Sequence, residues 1–294
     1  MKILHVCKKY PPILGGDAIV VSHLVNQHLA NHDIVIVTSN CVGIPNDPHI
    51  YKLGLADTPS GLDAITLKRI ISLFIIFFRM FAILYKERPH VIHTHSVDMA
   101  FFASFAARFF NIPLVHTFHI VTFYDTQQSA LRRKSELWLL QKAKPCFVTA
   151  PNNYDVQKLQ AAGVHQAVLL PNGVDLTFWT PSEPAHNKQF TFLAVGRLED
   201  QKGYTYLIKA VAQLTKKVTE PFSVMIIGEG SQKNALKELA HAHNVDHLVE
   251  LAGGKTPKQT RALLKKADAL VCPSLYETTP LTLLEAWATK TPVI

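Results

Sequence analysis

The feature that most restricts how this chain can fold is an alternation. Short apolar runs that end in small polar residues are each followed by a segment of helical length and period. In the first part the runs are KILHVC, DIVIVTS, HVIHTHS, LVHTFH, CFVTAP and AVLLPNG. Runs this short and this continuously apolar suit strands buried on both faces, and the long connections are the crossovers that parallel pairing requires. The alternation breaks at WTPSEPAHNKQ, where the Pro, Ser and His residues between Thr180 and Gln189 read as a linker. It resumes with FTFLAVG, FSVMIIG, LVELAGG and ALVCPS, between helices predicted over 204–215 and 232–243. The expected fold class is α/β, with two tandem doubly wound, Rossmann-like domains over residues 1–178 and 188–294. A chain of 294 residues with 48% hydrophobic content can fill two such cores. The closing TPVI reads as the opening of a further strand with no helix to cover it, so the second domain is expected to be incomplete. Ligands of open parallel sheets bind beyond the carboxyl ends of the strands, so two facing sheets are expected to place a site in the cleft between them.

Charge and cysteine usage narrow the setting. The formal net charge of +8 favours anionic partners such as phosphates, anionic lipids or nucleic acid. Nucleic acid is disfavoured, because the basic residues are spread out and not interleaved with stacking aromatics. Cys7, Cys41, Cys146 and Cys272 are scattered without paired spacing, which argues for small buried thiols in a reducing compartment and against a disulfide framework. The opening MKILHVCKKYPP has too short an apolar run for a signal peptide, so a cytoplasmic location is the default. The segment from Lys68 to Arg88 is too short in uninterrupted apolar character for a span, and Arg79 stands near its middle. It reads either as a helix buried against the sheet or as one lying at a membrane surface with basic ends. The triplet Arg132, Arg133, Lys134 is a solvated helix face that could add attraction to anionic lipid.

Residues at strand ends carry the chemistry. In AVGRLEDQKG, Arg197 follows a strand and Lys202 precedes a helix, with Gly196 and Gly203 allowing tight turns. Two cations in such a loop suit a diphosphate, although surface charge in a polar loop explains them equally well. In YETTPLTLLEAW, Pro280 is predicted at the first helical position with Thr279 as N-cap. Glu277 then lies on the entering loop and Glu285 one turn inside, flanking a helix mouth whose free N–H groups attract anions. A phosphate carrying hydroxyl-bearing groups, such as a nucleotide sugar, satisfies both preferences. His93 and His95 of HTHS fall on one face of a strand. Two ligands without a third nearby make a poor zinc site, so packing or acceptor contact is preferred and no metal is expected. Gly228 and Gly230 of IIGEGSQ lack the third glycine of a dinucleotide fingerprint, Lys233 standing in its place. Asn172, Gly173 and Asp175 of PNGVD are expected to shape a turn.

Taken in order, PPILGGDAIVVSHL, HVIHTHS, VHTFH, PNGVD, GRLEDQKG, IIGEGSQ, LAGG and PSLYETTPLTLLEAW resemble the group 1, or family 4, glycosyltransferases of the GT-B fold. The resemblance implies that Arg197 and Lys202 bind the donor diphosphate and stabilise the charge released on it, without a metal and without a cofactor. It implies that Glu277 accepts hydrogen bonds from donor-sugar hydroxyls, that Glu285 holds the ribose, and that the N–H groups of Leu281 and Thr282 reach a phosphate. Gly15 and Gly16 would form a loop approaching the diphosphate and acceptor, where a bare Gly-Gly is otherwise only a turn. His119 would touch the donor sugar near the reacting carbon, where a strand-end histidine is otherwise a core residue. Gly228, Gly230, Gly253 and Gly254, with Gly196, would lie by the nucleotide.

The implied reaction is transfer of a hexose-type unit, with retention, from a nucleotide-diphosphate sugar to a lipid-linked or polysaccharide acceptor. The helix at 68–88 is the candidate contact with a membrane surface. Alternatives are a GT-B phosphorylase, a sugar-nucleotide epimerase, or a non-catalytic nucleotide-sugar or partner-binding protein. Family members run further than Ile294, which implies an exposed sheet edge and lost bracing here.

Overall fold

The computed structural model describes residues 1–12, 16–39, 43–44, 47–53, 67–121, 129–181 and 189–294, the side chains of 67–73 excepted. Contacts divide the chain into two compact units, Met1–Asn172 and Gly173–Ile294. The division comes earlier than residue 178 because Val174 and Phe178 pack, with buried Trp179, against the second unit's cluster of Leu193, Ile227, Leu264 and Ala286. Residues 182–188 of the expected linker lie outside the described residues.

The first unit runs β1 Lys2–Cys7, α1 Gly16–Leu29, β2 Asp33–Thr38, β3 Ile50–Lys52, α2 Leu67–Glu87, β4 Val91–Thr94, α3 Val97–Phe109, β5 Leu114–Thr117, α4 Ala130–Ala143, β6 Phe147–Ala150, α5 Asn153–Ala161 and β7 Ala167–Leu169. Among the described residues the sheet has the order β3-β2-β1-β4-β5-β6-β7, parallel throughout. Side chains alternate along β1. Leu4 and Val6 join Ile76, Met80, Ile92 and Met99 in the core under α2 and α3. Ile3 and Cys7 turn to the opposite face with Val21 and Val25 of α1, and by the same period His5 shares that face. Strand β3 was not legible as an apolar run, since Ile50–Lys52 is a three-residue edge strand.

Helix α2 packs one face on the sheet, as the buried reading expects, and exposes apolar side chains on the other. Ile76, Met80, Ile83 and Leu84, spaced by helical turns, are buried on the sheet, and burying such side chains stabilises by about 1.5–3 kcal/mol each. Phe74, Ile75, Phe78 and Tyr85 of the same helix face outward, Phe78 at 65% exposure. Arg79 does not cross the apolar face, because its Nη1 donates to the Leu53 carbonyl at 3.0 Å. At the helix end Glu87 takes the Lys2 ammonium at 3.1 Å and the Tyr51 hydroxyl, which hold its carboxyl below the usual range despite partial burial. No helix among the described residues is long and apolar enough to cross a membrane.

The second unit runs β8 Phe190–Val195, a 3₁₀ turn Asp200–Lys202, α6 Tyr204–Leu214, β9 Phe222–Ile227, α7 Lys233–Ala242, β10 Val249–Gly253, α8 Pro257–Leu264, β11 Ala269–Leu270 and α9 Leu281–Ala288. Its strands are parallel in the order β10-β9-β8-β11, and Val293 of the closing TPVI adds a parallel bridge to Leu270. Ala194, Val224 and Ile226 pack on one side against Leu207, Ile208, Val211, Leu236 and Ala240 from α6 and α7. Leu193 and Ile227 pack on the other with Leu264 and Ala286. Helix α8 starts with a full capping box between Thr256 and Gln259, an arrangement that contributes about 1 kcal/mol.

Candidate functional site

In each sheet the strand order reverses once, between β1 and β4 in the first unit and between β8 and β11 in the second. Loops leaving two such strands diverge and open a crevice, the usual ligand position of a doubly wound sheet. Both crevices hold the residues singled out by the sequence, and their chemistry differs.

In the second unit the loop after β8 and the loop after β11 are joined. The Leu275 N–H donates to the Gln201 carbonyl at 2.9 Å, and the Gln201 side chain returns a bond to the Tyr276 carbonyl at 3.2 Å. Gly203 sits at φ 65°, and a Cβ there would lie 2.1 Å from the Pro273 carbonyl oxygen, so only glycine lets the two loops touch. Through this contact Lys202 reaches Glu277 and pairs with it, while Ser274 Oγ donates to the same carboxylate oxygen at 2.7 Å. Arg197 stands exposed at the end of β8. The structure therefore brings Lys202 and Glu277 together and sets Arg197 on the loop that carries Lys202.

The other flank of the crevice is as tightly built. Gly228 has φ 151°, and a Cβ on it would come within 1.9 Å of the Gly196 carbonyl oxygen. A Cβ on Gly230 would meet the Leu198 carbonyl at 2.4 Å. Two carboxylates that the sequence did not single out lock these loops. Glu199 accepts from Ser231 N–H at 3.2 Å and Oγ at 2.9 Å, contacts that lower its pKa. Glu229 accepts from the Gly254 N–H at 3.1 Å beside Gly253. Tyr204 was also missed. It is fully buried under the loop, its hydroxyl 2.9 Å from where a Gly196 Cβ would be, and burial raises its pKa. Nothing local in the sequence signalled these three, since Glu199 and Glu229 are loop carboxylates whose partners lie on other loops and Tyr204 is the first residue of an apolar helix.

The entrance of α9 differs from expectation in one respect. Pro280, with ψ 125°, is the N-cap and Leu281 the first helical residue, so Thr279 does not cap the helix. The extended ψ of the proline ends the loop one residue later than the first-position rule predicts. Among the described residues no protein acceptor takes the Leu281 and Thr282 N–H groups, which leaves both as donors at the positive end of the helix dipole. Glu285 lies one turn inside, buried, and burial pushes its carboxyl up to about 7.

In the first unit the crevice is lined by imidazoles. Register places His5 of β1 level with His93 of β4, and His5 Nδ1 lies 3.1 Å from His95 Nε2. His5 Nε2 is 3.2 Å from His28 Nδ1 on α1, and His95 Nδ1 is 3.2 Å from His119 Nε2 just beyond β5. His93 Nε2 bonds Thr117 Oγ1 at 2.7 Å, and Thr117 bonds Thr149 at 2.7 Å. Burial, reinforced by the neighbouring imidazoles, pushes His5 down to about 2 and His93 to about 4 and lowers His95, and burial alone lowers His119. The imidazoles are therefore neutral at ordinary pH. The premise that no third histidine stands near His93 and His95 is overturned, since pairing between β1 and β4 supplies His5. Nothing local in the sequence shows that pairing. Gly16 opens α1 rather than lying in a loop, with nothing within 4 Å of an added Cβ, and Gly15 lies outside the described residues.

Comparison with known proteins agrees with this geometry. The Glycosyltransferase Family 4 model matches residues 14–178 and the Glycosyl transferases group 1 model residues 177–294. A glycogen synthase of Mycobacterium tuberculosis is 29% identical across 100% of this chain and 77% of its own length. The UDP-Gal:alpha-D-GlcNAc-diphosphoundecaprenol alpha-1,3-galactosyltransferase of Escherichia coli is 31% identical over 73% of this chain and 59% of its own. Among solved structures, sucrose-phosphate synthase from Thermosynechococcus elongatus superposes with a TM-score of 0.80 at 20% identity, covering 100% of this chain and 80% of that one. Anabaena HepE in complex with UDP-glucose gives 0.76 at 16% identity, covering 100% and 79%.

Proposed function

Because the chain belongs to the family 4, group 1 glycosyltransferases, we propose that the second-unit crevice holds the diphosphate of a nucleotide sugar and that the protein passes the sugar to a glycan or lipid-linked acceptor. The observation that supports this best is the join at the switch point between β8 and β11. There a lysine from one strand end and a glutamate from the other meet, with an exposed arginine on the lysine's loop and, among the described residues, two helix-mouth N–H groups without a protein acceptor on the helix that follows the glutamate.

Each group has a role set by its chemistry. Arg197 can grip two phosphate oxygens at once, and Lys202 adds a point charge. Both favour the state in which the glycosidic bond is breaking and negative charge grows on the leaving diphosphate, so their charge does the work a metal would otherwise do. Leu281 and Thr282 N–H groups take a phosphate oxygen. Glu277 accepts from donor-sugar hydroxyls, and Glu285 from the ribose, a bond that draws its buried carboxyl back toward the ionised form. His119, a neutral imidazole held through His95, contacts the donor sugar. Departure and attack on the same face of the sugar, with the phosphate accepting the acceptor's proton, is the course that the family resemblance implies, and it gives retention.

A membrane-surface acceptor fits the outer face of the first unit, and a cytoplasmic setting suits the free thiols of Cys7, Cys146 and Cys272. Phe74 and Phe78 of α2, Phe109 of α3 and Trp138 of α4 are all exposed, with Arg88 and Lys142 stacked on neighbouring rings. Exposed aromatics among cations suit the interface of an anionic bilayer.

The test is turnover of UDP-, GDP- and ADP-sugars with and without a lipid-linked or oligosaccharide acceptor. Sugar transfer that depends on the acceptor, and that falls at least tenfold in Arg197→Ala and in Lys202→Ala with the melting temperature held, is the expected result. Wild-type rates in both variants would remove the diphosphate assignment. Co-sedimentation with vesicles containing anionic lipid, lost in a Phe74→Ser, Phe78→Ser double variant, tests the membrane contact. Equal sedimentation of both proteins would remove it.

A further inference from the structure

We propose that His5, His93 and His95 form a binding site for one divalent transition-metal cation of the zinc type within the first unit. One nitrogen from each residue lies within 4.8 Å of the others. The 3.1 Å between His5 Nδ1 and His95 Nε2 is close to the spacing of two ligands held about 2.0–2.1 Å from a common tetrahedral ion. The Thr117 bond occupies Nε2 of His93, which leaves Nδ1 as its ligand atom.

The surroundings of the three rings support the site more than their proximity does. Metal-bound imidazoles almost always donate their second N–H to a fixed partner, which sets the tautomer and aims the ring. Each of the three has such a partner: His28 Nδ1 for His5, His119 Nε2 for His95, and Thr117 Oγ1 for His93. One assignment of protons satisfies every bond. With His5 Nδ1, His95 Nε2 and His93 Nδ1 on the ion, the outer nitrogens all carry hydrogen and all face acceptors, and Thr117 passes its own hydrogen to Thr149. Three imidazoles with no oxygen ligand select zinc, cobalt, nickel or copper over magnesium and calcium. A water would fill the fourth position, reached past His93 and His119, which are only partly buried.

The ion would tie β1 to β4 at the switch point. It would also make His95 a positioning residue, because a metal-bound His95 can only donate to His119 Nε2 and so fixes the tautomer of His119.

The experiment does not depend on sugar transfer, so it stands or falls apart from the reaction assigned above. The full chain is stripped with a chelator, dialysed against Zn²⁺ or Co²⁺, freed of loose ions, and assayed for bound metal by mass spectrometry. Close to one equivalent, visible absorption of tetrahedral Co²⁺, and a melting temperature about 5 °C or more higher with Zn²⁺ are expected. His93→Gln should lose the equivalent and the shift while still melting cooperatively. His247→Ala, at an exposed histidine of the second unit, should keep both. Less than a tenth of an equivalent in the wild-type chain, or retention by His93→Gln equal to wild type, overturns the site.

Discussion

The two switch points of this molecule share a topology and differ in almost everything else. Between β8 and β11 the crevice is made of backbone pressed against backbone, glycines at the points of contact, and charged side chains at the rim. Between β1 and β4 it is made of large neutral rings bonded to one another, with little exposure. Loops packed at van der Waals distance hold ligand-binding N–H groups and charges at fixed positions, which suits a polyanion. A row of buried imidazoles suits uncharged sugar or a soft cation. Fold alone dictates neither, and the same sheet order accommodates both.

That contrast can be broken most severely at Gly228. Gly228→Ala drives a methyl to within 1.9 Å of the Gly196 carbonyl at a φ that side chains rarely adopt, and should destabilise the second unit by about 3–5 kcal/mol. A denaturation midpoint within error of wild type would show that the loops are not rigidly apposed.

Next comes Glu285. Its folded pKa of about 7 exceeds the ordinary 4.5, so between those values the folded chain binds more protons than the unfolded one. Stability is therefore full below about pH 4.5 and falls by about 1.4 kcal/mol per unit up to about pH 7, for a total near 3 kcal/mol. Glu285→Gln should flatten that slope and be the more stable protein at pH 8. The same slope in both proteins would place the titration elsewhere.

Smaller again is the effect of removing either cation at the rim. Arg197→Ala or Lys202→Ala should lower kcat/KM tenfold to hundredfold, about 1.4–2.7 kcal/mol of transition-state stabilisation, at unchanged stability. The smallest change is expected in the first unit, where an added Cβ on Gly16 meets nothing within 4 Å at the start of α1. Gly16→Ala should stabilise by about 0.4–1 kcal/mol. A loss comparable to that of Gly228→Ala would mean that the two crevices are built alike after all.

The strands were legible because a parallel strand buried on both faces writes itself as an unbroken apolar run, and β1 and β8 match KILHVC and FTFLAV residue for residue. Edge strand β3, three residues long, has no such run to show. The charged rim of the second unit was legible too, because Arg197, Lys202 and Glu277 lie within ordered motifs, as does the buried Glu285. What holds that rim was not. Glu199 and Glu229 act on loops about thirty residues away, and Tyr204 is a helix residue like its neighbours. The histidine cluster failed to appear for the same reason: His5, His28, His95 and His119 meet only after β1 has paired with β4, across a gap of ninety residues between His5 and His95.

The pairing of Lys202 with Glu277 has a kinetic meaning. Each is the other's counter-ion, and Ser274 keeps the carboxylate oriented toward the lysine. If the crevice takes a diphosphate as proposed, the anion would compete for that ammonium and release Glu277 to accept hydroxyls. The carboxylate would then become available only after the anion has docked, so the pair would work as an interlock that checks the nucleotide end of a donor before it engages the hexose end.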